Sequence, residues 1–383
     1  MNDAQRGRLF TPAGLRSKRA KISRQEYNKH CDFLTYGAVG GRFPILMQSR
    51  LSFIDALRGL AAMAVVLFHA VEGNHIPSLP AWLRAIVAHG GLGVAVFFVL
   101  SGFVIAHSLR DQEMTFGGVG RFMLRRSIRL DPPYWVAIAL AIGFSILATR
   151  LVKGRAPDDF TVPQIVAHLA YLQSILGFKN INPVFWTLSY EVQFYIVFAL
   201  MLCARSWKLV AAAFVVSLLW PLGLAPSIQG LFVNLWFGFL LGAGAYYAWR
   251  TPPVLPWFLA YAAVIGAAAT WHENVFALAC AATAAVIVAV ALTGRIGSLN
   301  WRWLQFLGAI SYSLYLIHNP ITGATFRLWF TIFERSPVTE WTGWLVSIAA
   351  SVIAAYLLWL LVERPSIYLA RRFSQRRATV VMV

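Results

Sequence analysis

The sequence predicts an all-α membrane protein, a polytopic bundle of about ten transmembrane helices with both termini in the cytoplasm. Of its 383 residues, 59% are hydrophobic and only 13% are charged, and the mean hydropathy is +0.64. Apolar runs of about the length that crosses a bilayer recur along the chain, separated by short polar breaks. This composition is typical of a polytopic membrane protein and excludes a soluble fold with a single anchor.

Ten apolar stretches qualify as membrane spans by length and hydropathy. They are residues 53–71, 90–109, 133–149, 183–203, 208–224, 230–249, 254–271, 274–293, 303–323 and 342–362. A further stretch, 162–177, is too short and polar to span, and it is interpreted as an interfacial helix on the outer side.

Basic residues provide a test of this topology. With ten spans, both termini lie on one side, and most of the 33 Lys and Arg residues fall on that side. Because cytoplasmic loops carry an excess of Lys and Arg, we place both termini in the cytoplasm. The net charge of +18 then reflects topology and contact with anionic lipid rather than nucleic-acid binding.

Hydropathy and charge divide the chain into three regions. Residues 1–50 are interpreted as a basic, disordered cytoplasmic tail, with Met47 as a possible natural start. Residues 51–368 form the transmembrane domain, and 369–383 form a second basic cytoplasmic tail. The three cysteines show neither paired spacing nor a metal-ligand pattern, so neither a disulfide framework nor a metal site is expected.

The first span carries Asp55, Arg58 and His69, although ionisable groups are expensive to place in a membrane. Arg58 and His69 are eleven residues apart, so on a helix they project within about 20° of each other, about 16 Å apart along the axis. One interpretation is a snorkelling arginine and a histidine satisfied by a neighbouring helix. The favoured interpretation is the wall of a site inside the bilayer.

Two more stretches, one in the second span and one in the cytoplasmic loop that follows it, carry candidate residues. The run 91–103 contains Ser101 among glycines that favour close helix packing as much as a site. Arg126 and Arg129 lie at i and i+3 if their segment is helical, and two guanidiniums so placed form a phosphate clamp. The alternative is an ordinary cluster of cytoplasmic arginines in contact with lipid headgroups. Tyr134 lies five residues after Arg129 and is a further candidate.

Two stretches supply candidates nearer the outer side. Glu191 lies about 13 Å into the fourth span, where a carboxylate needs a cation, hydrogen bonds or a proton. With Trp186, Ser189 and Tyr195 it is expected to line a polar cavity, and a purely structural pair with an arginine is the alternative. His318 lies near the outer end of the ninth span, with Tyr312 nearby, and residues 363–365 are interpreted as a cytoplasmic helix stop.

Together these stretches resemble the acyltransferase 3 family of integral-membrane O-acyltransferases, over about residues 50–368. The resemblance rests on five motifs in order: Asp55-Ala-Leu-Arg58-Gly-Leu-Ala-Ala with His69, Phe97-Phe-Val-Leu-Ser-Gly-Phe, Arg126-Ser-Ile-Arg129, Trp186-Thr-Leu-Ser-Tyr-Glu191 with Phe194-Tyr195, and Ser311-Tyr-Ser-Leu-Tyr-Leu-Ile-His318. Two positions depart from the family pattern: Thr187 replaces the usual Ser, and Ile317 replaces a frequent Trp.

The resemblance implies a donor, acyl-CoA, bound from the cytoplasm, and an acceptor that is often a sugar hydroxyl in a cell-surface glycan or its lipid-linked precursor. His69 matches the family's catalytic histidine, with Glu191 or Asp55 expected to orient it. Arg126 and Arg129 match the donor-binding pair. The same donor site is expected to include Arg58, Ser101 and Tyr134, and the acceptor site to include Trp186, Ser189, Tyr195, Tyr312 and His318.

The expected reaction is transfer of an acyl group, acetyl above all, by a protein of the bacterial inner membrane, with glycan-biosynthesis enzymes as possible partners. Exopolysaccharide and lipopolysaccharide O-antigen are the main acceptor candidates. Three alternatives stay open from the sequence: a small-molecule acceptor such as a macrolide, a secondary transporter or flippase for an anionic solute, and a non-catalytic membrane scaffold.

Overall fold

The computed structural model describes residues 51–110, 115–151 and 158–375, so the predicted tail 1–50 and residues 376–383 lie outside the described residues. Within these ranges the regular structure is entirely helical. The α-helices are α1 (Ser52–Glu72), α2 (Ala81–Ala88), α3 (Gly93–Leu109), α4 (Phe116–Leu151), α5 (Val162–Leu169), α6 (Trp186–Cys203), α7 (Trp207–Ser217), α8 (Trp236–Arg250), α9 (Leu255–Trp271), α10 (Val275–Leu292), α11 (Arg302–Ile332), α12 (Pro337–Leu358) and α13 (Arg364–Gln375).

Seven of the described helical stretches are long and apolar enough to cross a membrane. The all-α, polytopic membrane class is therefore confirmed, whereas the predicted count of ten spans and the side of the termini stay predictions. Each predicted span does contain a helix, but α7 and α8 are short, at 11 and 15 residues. The chain is a multi-pass membrane protein.

Three predicted boundaries differ from the structure. Helix α4 starts at Phe116 and passes through Pro132 and Pro133, so the predicted span 133–149 is only its second half. A hydropathy window misses the first half because it is basic. Helix α5 ends at Leu169, well before residue 177. The predicted helix stop at 363–365 is wrong: a π-helical turn, Trp359–Glu363, leads directly into α13, whose second residue tolerates a proline.

Helices α1 and α11 pack closely where two glycines meet. A Cβ atom on Gly59 would lie 2.7 Å from the backbone nitrogen of Gly308, and one on Gly308 would collide with the carbonyl oxygen of Asp55. Ten residues further along each helix, the rings of His69 and His318 lie with their centroids 5.3 Å apart. The equal offset means that the two helices run parallel, and it brings both histidines to one level.

Helices α3 and α8 form a second close crossing. A side chain on Gly102 would collide with the carbonyl oxygen of Phe239, and one on Gly242 would collide with that of Val99. Beside this crossing the ring of Phe98 stacks on Phe239 at 4.4 Å between centroids. Gly102 of the 91–103 run therefore serves close helix packing, which is one of the two interpretations of this run.

The segment between α5 and α6 joins α4 to α11 through hydrogen bonds. Tyr171 donates its hydroxyl to Asp131 on α4 at 3.0 Å, and Asn182 donates its amide to the carbonyl of Leu316 on α11 at 3.1 Å. The ring of His168 is fully buried, accepting from the backbone N–H of Ile181 at 3.1 Å. These contacts satisfy polar groups in a stretch that has little helix of its own.

Candidate functional site

A cavity lies between α1, α3, α4, α6 and α11, and the space not filled by protein atoms there, open solvent included, is about 770 Å³. Its polar wall contains three arginines, one glutamate and several hydroxyl groups, and its apolar wall comes mainly from α3. The lining residues are Arg58, Val94, Phe97, Phe98, Leu100, Ser101, Val104, Arg126, Arg129, Leu130, Thr187, Leu188, Glu191, Tyr195, Tyr312 and Tyr315.

The three arginines gather at one end of the cavity. Arg126 and Arg129 lie one turn apart on α4, which is helical here as the clamp hypothesis required. The guanidinium of Arg126 lies 4.4 Å from the centroid of the Tyr195 ring, a cation–π contact. The Nε of Arg129 is buried and has no hydrogen-bond partner. In the described part of the chain, no carboxylate oxygen lies within 4.0 Å of these arginines, so their donors are available to an anionic ligand.

Glu191 lies on the cavity wall and accepts a hydrogen bond from the hydroxyl of Ser101 at 2.6 Å. The alternative of a structural Glu191–arginine pair finds no such contact within 4.0 Å among the described residues. Tyr312, expected at the acceptor site, lies on this same wall, and its hydroxyl donates to the carbonyl of Leu130 at 2.9 Å. Tyr195 and Ser101 also line the cavity, so these predicted residues share one site.

His69 and His318 do not line the cavity but lie just beyond one of its ends. On α3 the lining residues extend from Val94 to Val104, about 15 Å along the axis. A Cβ on Gly93, next to Val94, would lie 2.9 Å from the Val65 side chain on α1, one turn before His69. On α11 the last lining residue is Tyr315, three residues before His318. Each histidine is therefore about one helical turn beyond the cavity, at the end opposite the arginines.

The orientation of the His69 ring is set by Glu72. Its Nδ1 lies 2.8 Å from a carboxylate oxygen of Glu72, and the side chains of His69 and Glu72 are 17% and 57% exposed. Because a carboxylate accepts hydrogen bonds, this contact places a proton on Nδ1 and leaves Nε2 with its lone pair.

His318 is fully buried, and its tautomer follows in the same way. Its Nδ1 lies 2.9 Å from the carbonyl oxygen of Tyr315 and 3.1 Å from that of Leu314. Since carbonyls only accept, Nδ1 carries the proton, and Nε2 is an acceptor that is buried without a partner. Two imidazoles with unprotonated Nε2 atoms thus lie side by side.

Four predicted site residues neither line the cavity nor contact His69 or His318. Tyr134 is fully buried with its ring stacked on Tyr171 at 4.7 Å. Ser189 donates its hydroxyl to a backbone carbonyl at 2.7 Å. Trp186 packs edge-on against Phe98. Asp55 lies fourteen residues before His69 on the same helix, about 21 Å away, and so does not contact it.

The prediction that Glu191 or Asp55 orients the His69 ring is therefore corrected. Glu191 is bonded to Ser101 and Asp55 is too distant, whereas Glu72 contacts the His69 ring. The sequence contained a signal for this, because residues three apart share a helix face. Glu72 lies one residue beyond the end of the predicted span 53–71.

Two further residues were missed. Thr187, noted only as a departure from the family pattern, lines the cavity and bonds the hydroxyl of Tyr315 at 2.8 Å. Glu363, interpreted as part of a helix stop, is 2% exposed and accepts from the Ser313 hydroxyl at 2.6 Å. Nothing in the local sequence indicated that Glu363 faces the bundle, because its direction depends on the π-helical turn that it ends.

Comparison with known proteins identifies a family. The Acyltransferase domain family, Acyl_transf_3, matches residues 51–360. The chain is 28% identical to the acyltransferase MdmB of Streptomyces mycarofaciens, over 84% of this chain and 93% of that protein. It is 31% identical to the putative membrane-bound transacylase BcsY of Komagataeibacter xylinus, over 83% of each.

A third relative is longer. The peptidoglycan O-acetyltransferase OatA of Listeria monocytogenes is 26% identical over 82% of this chain, and the match covers 55% of OatA. No solved structure gives a significant match. The family match covers most of the chain, including α1, α4 and α11 with their arginines and histidines, and the chain therefore belongs to the acyltransferase 3 family of membrane acyltransferases.

Proposed function

We propose that this acyltransferase moves an acyl group, acetyl above all, from acyl-CoA to a hydroxyl of a cell-surface glycan or its lipid-linked precursor. The observation that carries the proposal is one arrangement: a cavity with three arginines at one end and the His69–Glu72 pair one turn beyond the other end. The family supports acyl transfer, and the name of one relative supports acetyl transfer to a glycan.

The arginine end suits the coenzyme A phosphates. Arg58, Arg126 and Arg129 present guanidinium groups without carboxylates within 4.0 Å in the described chain, and planar guanidiniums bind phosphate in a bidentate manner. The pantetheine arm then follows the apolar wall of α3 for about 15 Å, past Ser101. Tyr134 is left out of the donor site because its side chain is buried elsewhere.

His69 is the general base in this proposal. Its unprotonated Nε2 takes the proton of the acceptor hydroxyl as the oxygen attacks the thioester carbonyl. The carbon–sulfur bond then breaks, an ester forms, and the thiolate of coenzyme A takes the proton back from Nε2. Glu72 fixes the tautomer and stabilises the imidazolium that forms between these steps.

The acceptor reaches His69 from the side on which Glu72 is exposed. His318 then supplies a second acceptor nitrogen for a hydroxyl or amide of the substrate. By the distribution of basic residues, this is the outer side of the bacterial inner membrane, and the donor enters from the cytoplasm. Exopolysaccharide and O-antigen are the first acceptors to examine.

The test compares wild type with His69→Ala in membrane vesicles supplied with radiolabelled acetyl-CoA. We expect label in the glycan fraction with wild type, and a loss of about 100-fold to 10,000-fold in the variant. Binding of coenzyme A to the purified variant shows that it is folded. Equal labelling by both proteins would remove His69 from the chemistry.

A further inference from the structure

Two aromatic rings meet in the part of the cavity wall nearest the histidines. Phe97 on α3 and Tyr315 on α11 both line the cavity, and their ring centroids lie 5.4 Å apart in an edge-to-face contact. Tyr315 also lies beside His318, with 6.0 Å between ring centroids. A group in the cavity that approaches His318 comes into contact with this pair, and we call the space beside the two rings the passage.

The two rings differ in how firmly they are held. The hydroxyl of Tyr315 lies 2.8 Å from the hydroxyl of Thr187 and 3.2 Å from the carbonyl of Val184. Tyr315 is 7% exposed, whereas Phe97 is only half-buried and has no polar atom to anchor it. Tyr315 is thus the fixed side of the passage, and Phe97 is the side that yields through a rotamer change.

We infer that Phe97 and Tyr315 select the acyl group by size, so that the donor class is acyl-CoA with a short acyl chain. This inference rests on the proposed function, because it takes the thioester to approach His69 through this passage. With the phosphates held by the arginines, the acyl carbon must come to lie between the rings and the histidines. The acyl chain then fills the space next to Phe97, where each added methylene meets a packed surface.

The same geometry gives Thr187 a role. Its hydroxyl holds the Tyr315 ring across the passage, so it determines specificity through Tyr315 without touching the donor itself. This is the position at which the sequence departs from the usual Ser of the family. A Thr hydroxyl makes the same bond but has fewer rotamers than Ser, which keeps the Tyr315 side of the passage rigid.

The experiment measures transfer from acetyl-, butyryl- and hexanoyl-CoA in vesicles, by thiol release and label in the glycan fraction. Wild type is expected to prefer acetyl strongly. Phe97→Ala should raise the hexanoyl-to-acetyl ratio of kcat/KM by about tenfold or more, since one methylene in a pocket changes this ratio by about 10-fold to 200-fold. Tyr315→Phe, which keeps the ring but loses both hydrogen bonds, should raise the ratio less.

The matched control is Val104→Ala, which enlarges the same α3 wall at the opposite end of the cavity and should leave the ratio unchanged. If purified Phe97→Ala fails to bind coenzyme A, Phe97→Leu replaces it in the measurement of the hexanoyl-to-acetyl ratio. An unchanged ratio in a Phe97 variant that binds coenzyme A and transfers acetyl would overturn the size selection alone. Absence of transfer from every acyl-CoA by wild type would overturn the proposed function, and the size selection with it.

Discussion

The two polar ends of the site are built on opposite principles. At the arginine end, three cations face a cavity with no carboxylate within 4.0 Å in the described chain, and the Nε of Arg129 lacks any partner. At the histidine end, each Nδ1 is already held, by Glu72 or by backbone carbonyls. The first end is incomplete without an anionic ligand, and the second is oriented before any ligand arrives. Binding and chemistry should therefore respond separately to mutation.

Arg129→Ala should separate the two ends most strongly. A hydrogen bond to a charged group contributes about 1.5–3 kcal/mol, so the KM for acetyl-CoA should rise about 10-fold to 100-fold with little change in kcat. Initial rates of thiol release over a range of acetyl-CoA concentrations measure both constants. Arg121→Ala, an exposed arginine on the same helix, is the control. An unaltered KM in Arg129→Ala would show that this guanidinium does not hold the donor.

Glu72→Gln tests the histidine end, and it should lower kcat while leaving the KM for acetyl-CoA unchanged. A glutamine amide can donate to Nδ1 of His69 and so favour the tautomer whose Nε2 carries the proton, which cannot act as a base. We expect kcat to fall about tenfold, with the KM for acetyl-CoA unchanged, and Glu72→Asp to recover part of the loss. Glu334→Gln, at an exposed site between α11 and α12, provides the comparison. A rise in the KM for acetyl-CoA instead would show that Glu72 also affects donor binding, so that the two ends do not respond separately.

Ser101→Ala tests whether Glu191 belongs functionally to the donor-binding end or to the histidine end. The Ser101 hydroxyl donates to Glu191 on the cavity wall at 2.6 Å, and a typical hydrogen bond of this kind contributes about 1 kcal/mol. We expect a few-fold rise in donor KM and no change in the pH profile of kcat. Ser108→Ala on the same helix is the matched variant. A shift in the pH profile would place Glu191 with the histidines rather than with the donor.

A weaker effect is expected at His75, which lies between α1 and α2. Burial, together with the positive charges of Arg327 and Arg335, lowers the pKa of His75 below 6.5. Below about pH 6.5 the unfolded chain therefore binds more protons than the folded chain, and stability falls as the pH falls. His75→Phe keeps the stacking on Phe326, where the centroids are 4.5 Å apart, but removes the titration.

We expect the melting temperature in detergent to drop less for His75→Phe than for wild type between about pH 7 and 5. His89→Phe, which replaces an exposed histidine nearby, should follow wild type. A wild-type melting temperature that stays constant over this range would contradict the prediction. Transfer activity at neutral pH provides a check that neither change disturbs the site.

Local sequence placed several candidate residues on shared helix faces because helices repeat regularly. Arg58 and His69 were placed on one face of α1, and Arg126 with Arg129 on one face of α4, from spacing alone. The arginine assignments correspond to residues that line one cavity. Ser189 and Tyr134 are residue types suited to a site, but their side chains contact Tyr171 instead of lining the cavity. No local pattern in the sequence indicates which neighbour a helix face meets.

The membrane class, the helical architecture and the family could all be predicted from the amino-acid sequence, because hydropathy, helical period and motif order are local properties of the chain. Two features required the folded chain: the parallel register of α1 and α11, and the edge-to-face contact of Phe97 with Tyr315 beside His318. The helix register and the aromatic pair join residues from helices distant in sequence. The distances between these residues depend on how closely glycines such as Gly59 and Gly308 allow the helix backbones to approach each other.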